Sequence, residues 1–421
     1  MVNLAAKETD AIVEEIKTPP GGRLMSLDAL RGFDMFWILG AGGFIRQLDE
    51  VVNRGVSQRS GWIHTLAAQC QHKNWEGIAF EDLIFPLFVF IAGVSIVFSL
   101  TKEMQRHSKL GVCWRILRRA TLLFALGIFY SGGLSQPWPD VRLTGVLQRI
   151  ALCYLGAAVV FSTLRLRGII ATIVLLLAGY WALMTFVPFP NIKLDQPSVE
   201  QAAHRLGSND LAKILASTKE TTRGSYEKGL NLSNYLDAKY LPGRKYNLYW
   251  CPEGLLSTLP AIATCLLGLL AGMLLRSGAY SDGKKVFWLA ALGVLGVLLG
   301  FLWGLQFPVI KKIWTSSYVL VAGGYSALLL AAFYWIVDVC KLRAWCQPLV
   351  WIGANSITIY LLSPLLNFRQ VAGRLVGGDV QKFLDVRIAS GAGELAAIAV
   401  SYALIFALMG FLYHRKVFVR L

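Results

Sequence analysis

From His72 to Leu100 the chain reads HKNWEGIAFEDLIFPLFVFIAGVSIVFSL. A polar block of titratable and aromatic residues runs straight into an apolar stretch of about 20 residues, enough to cross a hydrocarbon core about 30 Å thick. This stretch, near 80–101, is the second of ten. The others lie near 26–45, 117–133, 146–164, 168–188, 254–275, 286–305, 315–337, 347–366 and 393–413. The pattern predicts an all-α polytopic membrane protein of about ten transmembrane helices. A long non-cytoplasmic loop, 189–253, separates helices five and six. The expected organisation is a cytoplasmic tail, 1–25, followed by one transmembrane domain, 26–421.

Composition supports this class and excludes others. The 421 residues are 55% hydrophobic and 16% charged, whereas a soluble globular chain carries about 25% charged residues. Disorder, collagen and a disulfide framework do not fit these proportions. The net charge of +16 would point to nucleic acid in a soluble chain. In a membrane chain the placement of Lys and Arg matters more, because they collect in cytoplasmic loops. The most basic short loop is TKEMQRHSKLGVCWRILRR, residues 101–119. Assigning its side to the cytoplasm places 19 Lys and Arg there, against 11 in the short loops opposite. Both termini are then cytoplasmic. Residues 1–22 carry Pro19-Pro20-Gly21-Gly22 and lack the apolar core of a cleaved signal peptide. Seven cysteines show neither CxxC nor zinc-ligand spacing and read as small buried hydrophobes. Cys70 and Cys251 fall on one side of the membrane, which leaves a disulfide between them open.

Glycines four apart, at 268 and 272, 296 and 300, and 300 and 304, present smooth stripes for close helix packing. Ionisable groups at membrane depth are costly and therefore informative. Asp28 and Arg31, three apart, share a helix face and either pair structurally or meet a cytoplasmic anion. His72 stands with Asn74, Trp75 and Glu76 before the second span, and Glu81 and Asp82 sit at its mouth. A carboxylate beside an imidazole orients it and raises its basicity, so His72 is the candidate for chemistry, with an interfacial hydrogen bond as the plainer role. Gln148 and Arg149 open span four and need partners in the protein or on a ligand. Glu253 reads as a helix-dipole cap or a site residue. Lys312, Trp314, Ser317, Tyr318, Asn355, Ser356 and Tyr360 either bond between helices or face a ligand. Walker A, strand-flanked GxGxxG, HExxH and GxSxG motifs are absent from the sequence, and no metal site is expected.

These residues also carry a resemblance. Ser26-Leu27-Asp28 with Arg31-Gly32, His72-Lys73-Asn74-Trp75-Glu76-Gly77 followed by Asp82-Leu83-Ile84-Phe85-Pro86, and Gly145-Val146-Leu147-Gln148-Arg149 occur in order. Pro252-Glu253-Gly254, Trp314 with Ser317-Tyr318, and Asn355-Ser356 follow. Together they resemble the heparan-α-glucosaminide N-acetyltransferase family over nearly the whole chain from Ser26. Where the lysosomal member has an asparagine near the end of the first helix of this block, the chain reads Ile38-Leu39-Gly40-Ala41-Gly42-Gly43. It is also expected to lack that member's luminal N-terminal domain and preceding span, and to reside in a bacterial inner (plasma) membrane.

The resemblance implies transfer of acetyl from cytoplasmic acetyl-CoA to the amino group of a glucosamine-type sugar on the opposite side. It implies His72 as the catalytic histidine, acting as nucleophile or general base. Asp82 or Glu76 would orient it, and Asn74 or Asn355 would stabilise the oxyanion. Acetyl-CoA is expected near Asp28, Arg31, Arg115, Arg118, Arg119, Gln148 and Arg149, since arginine binds phosphate bidentately. The sugar is expected near Trp75, Glu76, Trp250, Glu253, Trp314, Asn355 and Ser356. The 189–253 loop, with Tyr226, Asn231, Tyr235, Asn247 and Tyr249, either contacts the sugar or forms a cap that does not. The expected partners are acetyl-CoA, the acceptor, the lipid bilayer and a second copy in a homodimer. The alternative reading is a secondary transporter of amino sugars.

Overall fold

The computed structural model describes residues 24–54, 61–135 and 137–418. Of the tail expected at 1–25, residues 1–23 therefore lie outside the described residues. The first apolar run forms two helices, α1 (Met25–Ile38) and α2 (Ala41–Val52). Gly40 separates them with a φ of 107°, a conformation that costs a residue without Cβ little. The 14 residues of α1 rise about 21 Å, less than the hydrocarbon thickness. After α3 (Trp62–Gln69) come α4 (Phe80–Arg106), α5 (Lys109–Tyr130), α6 (Val146–Thr163) and α7 (Leu166–Phe186).

The segment expected as a loop at 189–253 is folded. Its β1 (Phe189–Pro190) pairs antiparallel with β2 (Thr221–Thr222), and it holds α8 (Gln196–Leu206), α9 (Leu211–Ser217) and α10 (Leu232–Tyr240). The caps are local and legible: Asp195, Asp210 and Asn231 each accept a backbone N–H at a helix start. Beyond it lie α11 (Thr258–Arg276), α12 (Asp282–Gly304), α13 (Ser316–Phe333), α14 (Gln347–Ala354) and α15 (Ser356–Leu366). The chain ends through α16 (Phe368–Val376), α17 (Asp379–Arg387) and α18 (Ala392–His414).

Among the described residues, seven helices are long and apolar enough to cross a membrane: α4, α6, α7, α11, α12, α13 with its continuation to Val339, and α18. The α14–α15 pair makes an eighth if its 81° bend lies within one span. Ten spans are expected from sequence, and the difference arises at three places. Gly40 divides the first run. The first half of α5 carries Lys109, Arg115, Arg118 and Arg119. Asn355 breaks the ninth run, and its side-chain amide donates to the Val417 carbonyl at 3.0 Å. The fold is that of an all-α, multi-pass membrane protein.

Burial sorts the spans into centre and rim. The apolar windows of α4, α11 and α13 are each 61% buried, against 17% for α12; the exposed Leu292, Leu298 and Leu302 of α12 are what a lipid-facing helix presents. The central pair packs backbone to backbone. A Cβ on Gly268 would collide with the Phe90 carbonyl, and one on Gly93 with the Cys265 carbonyl, so α4 and α11 run parallel at the closest approach glycine permits. Gly296 and Gly300 do the same for α12 against α13, where Leu320, Val321 and Gly324 are their neighbours.

Replacing Gly268 with Leu should lower the thermal stability of detergent-solubilised protein by about 1–3 kcal/mol or block folding, since overpacking displaces backbone. Gly179→Ala on α7, where a Cβ meets nothing within 4 Å, should be neutral or slightly stabilising. Equal melting shifts for the two would refute the close-contact account.

Candidate active site

Asp82 is the third residue of α4, and its position there follows from helix-end chemistry. Its Oδ2 accepts the N–H of Ala79 at 3.1 Å and that of Lys73 at 3.2 Å, satisfying donors that a helix start leaves unpaired. Its own N–H donates to the Ala79 carbonyl at 3.0 Å. The side chain is only 1% exposed. With Oδ2 committed, Oδ1 faces His72 Nδ1 at 3.0 Å and Lys311 Nζ at 3.3 Å. The His72 ring is 56% exposed, so a buried carboxylate holds one edge of an accessible imidazole.

Lys311 comes from the turn between α12 and α13, 239 residues from His72. Its Nζ also lies 3.1 Å from His72 Nδ1. One nitrogen cannot both donate to Asp82 and accept from Lys311, so the two contacts select opposite tautomers of a neutral ring. Burial lowers the Lys311 pKa below its usual range, while the Asp82 and Glu81 carboxylates act to raise it. Three further bonds fasten this turn to the His72 loop and to α4. Gly77 N–H donates to the Val309 carbonyl at 2.9 Å, Lys312 Nζ to the Asn74 carbonyl at 2.8 Å, and the Tyr318 hydroxyl to the Asp82 carbonyl at 2.6 Å.

The remaining expected site residues fall into separate groups. Trp75 donates from Nε1 to the Tyr226 carbonyl at 2.7 Å and meets buried Trp250 edge to face at 5.7 Å; both rings knit the folded 189–253 segment onto the helix ends. Asn74 and Glu76 are exposed. Arg149, 1% exposed, donates to the Gly254 carbonyl at 3.2 Å and to Ser257 Oγ at 2.5 Å, and lies 5.0 Å from the Trp314 ring. Glu253 pairs with Arg142 at 3.1 Å. Gln148 packs against Gly127 of α5. A cavity of about 120 Å³ lies between Gln148, Arg149, Glu253 and Thr258.

Gln148 and Arg149 are therefore not beside Arg115, Arg118 and Arg119. Gly127 is eight residues from Arg119, about 12 Å of helix rise, so the two sets occupy different depths. Arg115 is held by Glu103 at 2.7 Å, Arg119 lies 4.6 Å from the Tyr154 ring, and Arg118 is exposed. Arg31 pairs with buried Asp28 at 3.2 Å and also donates to Ser95 Oγ of α4. Asn355 and Ser356 stand at the α14–α15 bend, apart from the contacts around His72. Cys70 and Cys251 are free thiols, so the disulfide left open by sequence is not formed. Among the described residues no group of three or more His, Cys, Asp and Glu is arranged for a metal ion.

This chain is similar to the mouse (Mus musculus) heparan-alpha-glucosaminide N-acetyltransferase, with 29% identity over 416 residues, covering 85% of this chain and 58% of that protein. It is 31% identical to the human (Homo sapiens) protein of the same name over 337 residues, covering 69% of this chain and 48% of that protein. It is a relative of these acetyltransferases. The chain spans about half the length of the curated relatives it matches. No protein-family profile matches it.

Two acidic residues and a lysine of this acetyltransferase relative stand out without having been expected at the site. Lys311 was hidden because only the fold brings its turn to His72. Glu81 was visible at the mouth of α4, yet only the structure shows its Oε2 buried without a hydrogen-bond partner. Asp34, in the middle of α1, is fully buried with both carboxylate oxygens unpartnered; a lone carboxylate in an apolar run was its only sequence signal.

Asp237 in the cap accepts the N–H groups of Cys251 at 3.2 Å and Leu255 at 2.8 Å. Burial outweighs these bonds and raises its pKa to about 6, from the 3.8 of an unperturbed aspartate. The folded state therefore binds the extra proton between these values, and stability rises as pH falls through that window. Amide exchange over residues 232–257 should slow between pH 7 and pH 5, after correction for intrinsic rates, and Asp237→Asn should remove the dependence. Faster corrected exchange at pH 5 would contradict it.

Proposed function

We propose that the protein is a transmembrane N-acetyltransferase that moves acetyl from cytoplasmic acetyl-CoA to the amino group of a glucosamine-type sugar on the other side. The observation that carries this reading is the exposed imidazole of His72 held through Nδ1 by buried Asp82. With the proton on Nδ1 and donated to Asp82, Nε2 keeps its lone pair outward. Acting as general base, it takes a proton from the sugar ammonium. The amine nitrogen then bonds to the acyl carbon, the carbon–sulfur bond breaks, and the leaving thiolate takes up the proton that the nitrogen sheds on becoming an amide. The same lone pair serves a covalent route through acetyl-histidine, which acid quenching and isolation of acetylated His72 would distinguish. Lys311, beside the ring, offers a positive charge to the developing oxyanion.

The sidedness of the proposal rests on charge. Arg106, Lys109, Arg165, Arg276 and Lys341 cluster at the helix ends opposite His72, and basic ends face the cytoplasm. Both termini are then cytoplasmic, and we assign the protein to a bacterial inner membrane. We read α1, α5 and the bent α14–α15 pair as crossings beside the seven long helices, which gives ten; α4 and α6 run parallel, which supports α5 as the return between them. We assign the nucleotide of acetyl-CoA to the neighbourhood of Arg31, Arg118 and Arg119. The pantetheine arm then passes along α1, where Asp34 and the indole N–H of Trp37, both unpartnered, offer an acceptor and a donor to an amide. Arg149 and Gln148, at the His72 end, are not assigned to the nucleotide. A sugar carrier needs neither a nucleotide seat nor a carboxylate-held histidine.

Purified protein in detergent should transfer radiolabelled acetyl from acetyl-CoA to glucosamine. His72→Ala should abolish transfer with an unchanged melting temperature. Asp82→Asn should lower kcat by about 10²–10⁴, the range of lost acid–base catalysis. Full turnover in folded His72→Ala would end the catalytic assignment.

A further inference from the structure

The aromatic residues expected to hold the sugar are occupied in packing. Trp250 and Trp314 are each 2% exposed, and the Trp75 indole N–H is bonded to Tyr226. On the other flank of His72 the structure opens. A cavity of about 270 Å³ lies under α2 and α3, lined by Arg46, Gln47, Asp49, Glu50, Gln71 and Arg369 among others. Its wall adjoins the loop that carries His72. Gln71 precedes His72 in the chain, and Arg46 donates to the Cys70 carbonyl. A Cβ on Gly42 would lie 3.2 Å from both Arg46 Nη1 and Glu81 Oε2, so the cavity's arginine and the residue before Asp82 meet at one glycine.

We propose that this cavity is the acceptor subsite, and that Glu81, which adjoins its wall behind Arg46 and Gly42, receives the ammonium of a protonated amino sugar reaching in from it. The proposal rests on the acetyl-transfer reading and adds where and how the acceptor is held. The chemistry of the wall matches a polyhydroxylated cation. Asp49 is committed to His64 at 3.1 Å and Asn53 at 2.6 Å, and Arg369 to Glu394. Glu50 and Gln71 have no hydrogen-bond partner among the described residues and remain for hydroxyl groups. Glu81 Oε2, buried and unpartnered, is the acceptor that a buried ammonium needs. An ammonium paired there is one residue along α4 from Asp82, the carboxylate that holds the imidazole. Neutral sugars lack the charge, and N-acetylated sugars have lost it, so the product is released by the same group that held the substrate.

The test is equilibrium binding of radiolabelled glucosamine to the purified full chain in detergent, without acetyl-CoA, with glucose and N-acetylglucosamine as competitors. Glucosamine should bind about tenfold more tightly than either, the effect of one charge-assisted hydrogen bond. Glu81→Gln should remove that preference. Glu50→Ala, an exposed position that folding tolerates, and Gln71→Ala should each raise the glucosamine KM about tenfold and leave the acetyl-CoA KM unchanged. Equal binding of the three sugars by the unmodified protein, or unchanged affinity in all three variants, would overturn the subsite. Loss of preference in Glu81→Gln without any acetyl transfer by the parent protein would keep the subsite and overturn the transferase reading. Transfer with an unaltered glucosamine KM in Glu50→Ala and Gln71→Ala would do the reverse.

Discussion

The Asp82 carboxylate joins the two halves of this structure. Oδ2 closes the start of α4 by accepting the N–H groups of Ala79 and Lys73, and Oδ1 meets His72 and Lys311. Displaced by one residue along the helix start, this carboxylate would point elsewhere, because successive side chains turn about 100°. The longest helix of the protein and its candidate chemistry thus share one side chain. Its backbone carbonyl, gripped by Tyr318 of α13, ties the same residue to a second central helix. The geometry of the imidazole is in this way anchored to the most buried part of the bundle, which a mobile loop could not provide.

The bundle pins α4 in turn. Close contact of Gly93 with Cys265 and of Gly268 with Phe90 fixes α4 against α11, and α11 begins beside the Gly254 and Ser257 groups that receive Arg149. Arg149 lies against the ring of Trp314, whose backbone N–H donates to the Lys311 carbonyl at 2.9 Å. Packing glycines, a buried guanidinium and a lysine turn are therefore successive links to one histidine. The folded 189–253 segment closes over the same end through Trp75 and Trp250. Its aromatic residues, which in sequence look like a sugar platform, hold the cap down.

Much of this was legible in the chain. Apolar run lengths report crossings, because backbone polar groups in hydrocarbon must be satisfied within the helix. The glycine pairs reported packing faces, and the nearness of His72 to Asp82 followed from ten residues of local chain. The expected cofactor group was less well read. Arg149 and Arg119 are both arginines near an apolar run, and sequence does not say at what depth each lies or whether a carbonyl, a ring or a ligand already satisfies it. Similarly, Gly40 reads as part of an apolar run until its positive φ divides α1 from α2.

By itself the sequence determined the class of fold and singled out His72 as the candidate for chemistry. These depend on properties that act along the chain: hydrophobic length, local hydrogen bonding and residue type. Only the tertiary structure decided that Lys311 stands at His72, that Glu81 Oε2 and the Asp34 carboxylate lack hydrogen-bond partners, and that the tryptophans are spent in packing. Those facts concern which groups meet across hundreds of residues and which are denied water. Both are set by how helices pack, and a periodic apolar pattern is the same for many packings.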